Sequence, residues 1–482
     1  MLEWITRRGT KSAIFSTKQR FDLAYSMTRM ADGPRTGAVI NNSAPSLALS
    51  APLPQLVQPP DIEATLHPAS TSSNGTGDQQ PTLVPSQNGW LGTNRRASLL
   101  YDALAVGQSV PTFPNQQMNI GVPTERTPGE SRVALIPDSV GRLTKAGVTV
   151  LIERGAGLRA GFPDAAYEKA GGTLATQAEA LSADLVAKVQ KPTAAEVAQM
   201  AAGSHLISLL QPSSSAEAIQ ALDARGVTAF ALELVPRITR AQSMDVLSSQ
   251  ATVAGYKAVL IGSAELVKFL PMLTTAAGTI APSKVCVLGA GVAGLMAIAT
   301  ARRLGAVVSG FDIRAAAAEQ IKSLGASVVA ENLISADSQT TGGYAKEQSA
   351  EQQAAIQDAL KAHLTGMDLV ITTAQVPGRT APRLISTATI QTMAPGSVIV
   401  DLAAETGGNC EPTKAGETVD VNGVKVIGPV NLAATMPNHA SAMLSRNILT
   451  FVQHLLTKEG TLNVDRADEI TGAMIVTGRT AA

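Results

Sequence analysis

Lys284-Val-Cys-Val-Leu-Gly-Ala-Gly-Val-Ala-Gly294 is followed by Leu295-Met-Ala-Ile-Ala-Thr-Ala-Arg-Arg-Leu-Gly305 and then by Ala306-Val-Val-Ser-Gly-Phe-Asp312. Four apolar residues, Val285 to Leu288, predict a buried strand, and the glycines after them allow a tight turn whose backbone can approach a pyrophosphate. A helix is expected to start near Val292, so its free N–H groups and positive dipole end face the phosphates, while Gly294 lets helix and strand pack closely. Asp312 ends a second apolar strand 18 residues after Gly294. A carboxylate there can accept both ribose hydroxyls and repel a 2′-phosphate, which favours NAD over NADP.

Two other readings of this stretch compete. A Gly-x-Gly-x-x-Gly alone is often only a loop; strand before, helix after and acid at this distance make it a dinucleotide fingerprint. Val285 to Ala301 is also a run of 17 uncharged residues between Lys284 and Arg302, the lower edge of a membrane-spanning length. Gly289, Gly291 and Gly294 disfavour one continuous helix, and the flanking charges leave no room to extend it.

The chain has 482 residues, enough for two or three domains that each bury a core. Its 38 basic and 38 acidic residues balance, so no strong field points to nucleic acid. With 45% apolar but only 3% aromatic residues, the cores must be built from Ala, Val, Leu and Ile, as in buried parallel sheets. Cys286 and Cys410 form neither a disulfide framework nor a zinc site, which favours a reducing compartment. His67, His205, His363, His439 and His454 have no metal-ligand spacing.

Residues 1 to about 117 read differently from the rest. Pro52, Pro54, Pro59 and Pro60, then Ser70-Thr-Ser-Ser-Asn-Gly-Thr-Gly77, predict a disordered extension. Arg7, Arg8, Lys11, Lys18, Arg20, Arg29 and Arg35, against Glu3, Asp22 and Asp32, give its start a mild likeness to an organellar transit peptide. A plain disordered tail, or translation starting at Met118, stays open beside it.

From Met118 strands and helices alternate: strands at Asn119 to Val122, Val148 to Ile152, Leu185 to Val189, His205 to Leu210 and Val227 to Leu232, with a helix opened by Pro137 and ended by Gly147. This predicts an α/β fold with parallel sheets. A long helix is expected over Ser243 to Phe269, with an apolar face of Val253, Ala254, Leu260 and Ile261, bridging two domains. Six strands, at Val285, Ala306, Ala326, Met367, Ser397 and Val424, then make a complete doubly wound sheet. Asn447 to Leu456 reads as a helix that returns to the first domain. The expectation is therefore two Rossmann-like doubly wound parallel-sheet domains joined by long helices: 118–245, completed by about 440–482, and a dinucleotide-binding domain over 255–430.

Between them lies Val235-Pro-Arg-Ile-Thr-Arg-Ala-Gln-Ser-Met-Asp245-Val-Leu-Ser248. Spacing alone leaves open a helix cap, with Ser243 or Asp245 binding first-turn N–H groups, or a binding loop; the domain junction tips it toward the latter.

Pro236-Arg-Ile-Thr-Arg-Ala-Gln-Ser-Met-Asp-Val-Leu-Ser-Ser-Gln-Ala-Thr-Val-Ala-Gly-Tyr256, the Gly289 turn, Gly342-Gly-Tyr-Ala-Lys346, Thr372-Thr-Ala-Gln-Val-Pro-Gly378 and Val398-Ile-Val-Asp-Leu-Ala-Ala-Glu-Thr-Gly-Gly-Asn-Cys410 together closely resemble the alpha-subunit family of proton-translocating NAD(P) transhydrogenases. The resemblance covers nearly all of 118–482 and is to the soluble NAD(H)-binding component. It implies that Arg237 and Gln242 contact the nicotinamide end, that Asp245 and Ser248 complete that site, and that Ile238 and Thr239 lie against the cofactor. It implies that Gly289, Ala290, Gly291, Val292, Ala293 and Gly294 hold the pyrophosphate, with Asp312, Ile313 and Arg314 at the adenosine ribose. Gly343 and Tyr344 fall on a loop that closes over the nucleotide, in keeping with the polar, unpatterned run from Ser335 to Gly343. Gln375 and Val376 stand where the family usually carries Leu-Ile, so Gln375 brings a polar group to a cofactor-binding position.

The resemblance further implies membrane-spanning and NADP(H)-binding partner subunits, a homodimer, and a peripheral place on the inner membrane, at the bacterial cytoplasmic side or an organellar matrix side. Two other functions compete. Alanine dehydrogenase shares the architecture and resembles the chain at Arg132 and Lys191, which bind substrate in that family; its histidine and aspartate are replaced around Gln211 and by Glu405, leaving no proton shuttle. A non-catalytic NAD(H) sensor is the other.

Overall fold

Strands apolar at every position need a sheet covered on both faces, and the computed structural model, which describes residues 118–334, 349–375 and 378–478, contains two such sheets. The first comprises β1 (Asn119–Val122), β2 (Thr149–Glu153), β3 (Thr173–Ala175), β4 (Leu185–Gln190), β5 (His205–Leu209) and β6 (Thr228–Ala231). Its order is β3-β2-β1-β4-β5-β6, parallel throughout. A small hairpin, β7 (Leu273–Thr275) with β8 (Gly278–Ile280), precedes the second sheet. That sheet comprises β9 (Lys284–Leu288), β10 (Val307–Phe311), β11 (Ser327–Val328), β12 (Leu369–Thr372), β13 (Val398–Asp401), β14 (Thr418–Val421) and β15 (Val424–Ile427). Its order is β11-β10-β9-β12-β13-β15-β14, with only β14 antiparallel. In each sheet the order reverses beside the first strand, at β1/β4 and at β9/β12, where α/β proteins open their ligand crevices. The fold is α/β with two Rossmann-like sheets, as the alternation predicts.

Three elements escape the apolar pattern. The edge strands β3 and β14 and the β7–β8 hairpin expose most of their residues, so they offer no apolar run to detect. The second sheet consequently has seven strands instead of six. The run Val285 to Ala301 divides at the glycine turn into β9 and the helix Val292–Arg303, and no helix among the described residues is long and apolar enough to cross a membrane. The expected extension, residues 1–117, lies outside the described residues.

The connecting helix is Val246–Glu265, shorter at both ends than Ser243 to Phe269. Thr239–Met244 winds as a 3-10 helix before it, and Leu266 turns extended after it. Its buried face also differs from the expected Val253, Ala254, Leu260 and Ile261: Val246, Val253, Gly255, Ala258, Val259 and Gly262 are buried. The reason is that two glycines make the closest approaches. A Cβ on Gly255 would lie 2.1 Å from the Ala293 carbonyl oxygen, and one on Gly262 would lie 2.5 Å from Leu369 Cδ1. A face defined by missing side chains leaves no mark in a hydrophobic pattern.

The last long helix is Pro437–Leu455, beginning ten positions before the expected Asn447. Its first turns are small and polar, which hides them from an apolar pattern, but Pro437 suits the first helical position. Leu444, Ile448, Phe451, Val452 and Leu455 join the first sheet's core with Ile120 and Phe230. Ser441 and Ser445 accept the otherwise free N–H groups of Val133 and Ile136, and Ile475 bridges to Phe230.

Gly255→Ala should lower stability by about 1–3 kcal/mol through overpacking, because the obstacle is backbone. Thermal unfolding checks it; an unchanged midpoint would show that the two helices separate at no cost.

Candidate functional site

Each glycine of the turn after β9 stands in different surroundings. Gly289 has φ of 95°, and a Cβ there would meet Thr373 Oγ1 at 2.7 Å and the Ala374 amide nitrogen at 2.9 Å. A Cβ on Gly294 would lie 1.8 Å from the Gly289 carbonyl oxygen. Gly291 is under neither demand: its backbone is extended, and a Cβ would meet nothing within 4 Å. Folding therefore requires glycine at 289 and 294, and leaves 291 facing open space at the start of the helix Val292–Arg303. No side chain caps that helix. Ala290 is buried, Ala293 is half-buried under Gly255, and Val292 is 42% exposed.

Asp312 follows β10 directly and is 7% exposed. Its Oδ2 accepts from the Ala290 amide at 2.8 Å, which ties the acid to the glycine turn. Arg314 folds back on it, donating from its backbone nitrogen at 2.9 Å and Nε at 2.8 Å to Oδ1, and from Nη2 at 2.7 Å to Oδ2. These four bonds fill the roughly four lone-pair sites of a carboxylate. A ribose diol can bind only if Arg314 yields. Ile313, next to it, packs against the core under β10 and β12.

In the 3-10 stretch Thr239–Met244 residues three apart share an edge. Ala241 and Met244 are buried on one edge, while Thr239 and Gln242 are exposed on another. Arg237 is exposed and Ile238 packs on the first core. Asn447 Nδ2 donates to the Ser243 carbonyl at 2.7 Å, and Arg240 pairs with Asp468 at 3.0 Å. Asp245 caps the connecting helix, accepting from Ser248 N at 2.9 Å and Ser248 Oγ at 2.6 Å. Of the two cap candidates the structure selects Asp245; its carboxylate and the Ser248 hydroxyl are bonded to each other. Ser248 to Gly255 is two helical turns, so the loop ends roughly 10 Å along the axis from the contact with Ala293.

Gln375 is exposed and donates to Thr406 Oγ1 at 2.8 Å. Gly343, Tyr344 and Val376 lie outside the described residues. Asp401 and Asn409, which the sequence singles out only through the resemblance of their motif, brace this side. Buried Asn409 accepts from the Ala374 amide at 3.0 Å and donates to the Ala374 carbonyl at 2.8 Å, in place of a neighbouring strand. Asp401 accepts from Thr372 and Thr413 hydroxyls and from the Ala403 and Cys410 amides. Burial pushes the Cys286 thiol up to about 12 and raises that of Cys410, and both are unpaired.

The first sheet's crevice is filled by the chain's own charges. Lys188 lies 2.8 Å from Glu196 and 3.6 Å from Glu125, all buried, and burial raises the Glu125 carboxyl despite that cation. Glu130 and Arg132 form a second pair at 2.6 Å. Burial would push the Glu130 carboxyl up, but Arg132, Gln190 and Asn431 hold it down to about 2. Lys191 donates to Ser215. At the positions of the missing proton shuttle, Gln211 sits at φ of 49° with its amide bound by Glu233, and Glu405 is exposed.

Two Rossmann-like parallel sheets joined by a glycine-packed helix, with a fingerprint turn on the second, define an architecture of nucleotide-dependent dehydrogenases. The models "Alanine dehydrogenase/PNT, N-terminal domain" and "Alanine dehydrogenase/PNT, C-terminal domain" match residues 121–254 and 258–481, and the chain belongs to this alanine dehydrogenase/PNT family. The first polypeptide of NAD(P) transhydrogenase subunit alpha from Rhodospirillum rubrum is 44% identical over 369 residues, which cover 75% of this chain and 96% of the relative. The crystal structure of transhydrogenase from Sinorhizobium meliloti superposes with a TM-score of 0.69 at 44% identity, over 74% of this chain and 98% of that one. An L-alanine dehydrogenase structure is more distant: TM-score 0.60 and 32% identity, over 70% of this chain and 90% of that one.

Glu130 is held below its unfolded value of 4.5, so its contribution is present above that pH and is lost as pH falls toward 2. The shift corresponds to about 3 kcal/mol. Urea unfolding of the wild type and Glu130→Gln at pH 5 and pH 2.5 should show the difference between them shrinking at the lower pH; an equal difference at both would refute the assignment.

Proposed function

We propose that this chain is the NAD(H)-binding component of a proton-translocating NAD(P) transhydrogenase. It would pass hydride between NADH on its own second sheet and NADP held by a partner subunit, with proton movement in a separate membrane-spanning subunit. The observation that carries the nucleotide site is Gly291, a glycine that neither backbone conformation nor packing explains. Its room, beside an uncapped helix start and Asp312, fits a pyrophosphate. The 44% identity over nearly the whole length of a transhydrogenase alpha relative, against 32% for the alanine dehydrogenase structure, supports the choice of reaction.

Nicotinamides exchange hydride between their C4 carbons without a protein acid or base, so the chemistry lies in the nucleotides. This chain's task is then to hold, orient and keep water out. Asp312 would take the adenosine ribose once Arg314 yields, with Ile313 beneath; the amides from Gly289 to Gly294 would hold the pyrophosphate; Gln375 would sit beside the adenosine. Arg237 and Gln242, directed outward by the buried Ala241 and Met244, would orient the nicotinamide with Ile238, Thr239, Asp245 and Ser248. Closure by Gly343 and Tyr344 belongs to the same proposal. The first-sheet charges argue against an oxoacid substrate, because Arg132 is already bound to Glu130, Gln250 and Asn431.

A homodimer at the membrane surface, on the cytoplasmic or matrix side, completes the proposal. Val267, Phe269, Met272 and Ile280, on and beside the β7–β8 hairpin, form an exposed apolar run suited to a second copy.

Gly291→Ala should leave the thermal midpoint unchanged while weakening NADH binding by about tenfold, since its Cβ collides only with the ligand. Fluorescence titration with unaltered affinity would remove the site. With an NADP-binding partner subunit added, NADH should reduce an NADP analogue, whereas alanine should not drive NAD reduction; the reverse pattern would make the chain an alanine dehydrogenase. Gln242→Ala should slow that transfer more than it weakens NADH binding, and equal losses by stopped flow and calorimetry would contradict an orienting role.

A further inference from the structure

Glu130 and Arg132 are 0% and 3% exposed, in a loop of the first sheet, yet their bonds reach both places where the chain crosses between the sheets. Arg132 Nη1 donates to Gln250 Oε1 at 2.8 Å, on the connecting helix two residues beyond Ser248. Its Nη2 donates to Asn431 Oδ1 at 3.0 Å, on the segment leaving β15, and Asn431 Nδ2 returns a bond to Glu130 Oε2 at 3.0 Å. Gln250 in turn donates to the Ala440 carbonyl of the helix Pro437–Leu455 at 3.2 Å. Asn431 has φ of 45°, a strained conformation that persists only where the surroundings hold the backbone.

A buried ion pair is weak evidence for stability, because apolar residues of similar volume often serve as well. Apolar residues cannot supply directed bonds to two separate strands of chain at once. The loop Arg237–Ser248 enters through one crossing and the second sheet leaves through the other, so whatever joins the crossings sets the angle between the loop and the glycine turn. We propose that Glu130 and Arg132 are a positioning pair that fixes this angle, and so the placement of the nicotinamide end, without touching the nucleotide. The effect on hydride transfer rests on the proposed function; the effect on the loop does not.

The test is the double variant Glu130→Met/Arg132→Met in the full chain, which keeps the buried volume and removes the directed bonds. Without nucleotide, amide hydrogen exchange over Asp245–Gln250 should quicken roughly tenfold. NADH affinity should stay within about threefold, while single-turnover transfer to the partner-bound NADP analogue falls about tenfold or more. Wild-type exchange and transfer rates in the variant would overturn the proposal, as would a loss of NADH affinity equal to the loss of rate. Should the double variant not fold, Gln250→Leu/Asn431→Gly leaves the ion pair, keeps the backbone at 431 relaxed and removes the two crossing bonds, with the same outcomes expected. If the wild type itself transfers no hydride, the functional reading fails and the exchange measurement alone decides the positioning role.

Discussion

The connecting helix touches the second sheet's first helix backbone against backbone at Gly255 and Ala293, and the arrangement of both halves follows from that contact. Any side chain at 255 would push Val246–Glu265 away from Val292–Arg303. The loop Arg237–Ser248 would move with the helix, since Asp245 caps it and Ala241 and Met244 are buried beneath. A second glycine contact at Gly262, against Leu369, fixes the helix along the sheet as well as over the turn. Glycine's cost in helix propensity, about 1 kcal/mol per position, is offset by this closeness.

Around this joint, buried carboxylates serve mainly as acceptors for backbone and hydroxyl donors. Asp312 holds the glycine turn through Ala290, Asp401 gathers four donors beneath Thr372, and Asp245 holds the first turn of the connecting helix. Each carboxylate has partners enough to remain inside, as burial of a charge demands. Glu130 and Arg132 differ in joining segments 299 and 118 residues away along the chain, at Asn431 and Gln250. The same polar bonds that make burial tolerable thus tie distant segments together.

Much of this is legible without coordinates. Val285 to Leu288, the three glycines and Asp312 carry a local pattern whose spacing corresponds directly to strand, turn, helix and second strand. The core strands of both sheets announce themselves as apolar runs for the same reason. The helix Val246–Glu265 departs from expectation at its ends because a 3-10 turn and an extended exit leave the composition unchanged. Its buried face departs as well, because glycines, not apolar side chains, define it. The edge strands β3 and β14 are paired by neighbours distant in sequence or carry little apolar signal of their own.

The loop Arg237–Ser248 marks the boundary between the two kinds of knowledge. Its residue types, and those of the glycine turn, follow from the order of amino acids, because local backbone geometry and short-range bonding depend on near neighbours. That Arg314 closes Asp312, that Asn409 stands in for a strand beside Ala374, and that Arg132 answers to Asn431 and Gln250 instead of facing the crevice are settled only by tertiary structure. Apart from Arg314's short fold-back, these contacts join segments 35 to 299 residues apart, and only the folded packing of helices on sheets brings such donors and acceptors within bonding distance.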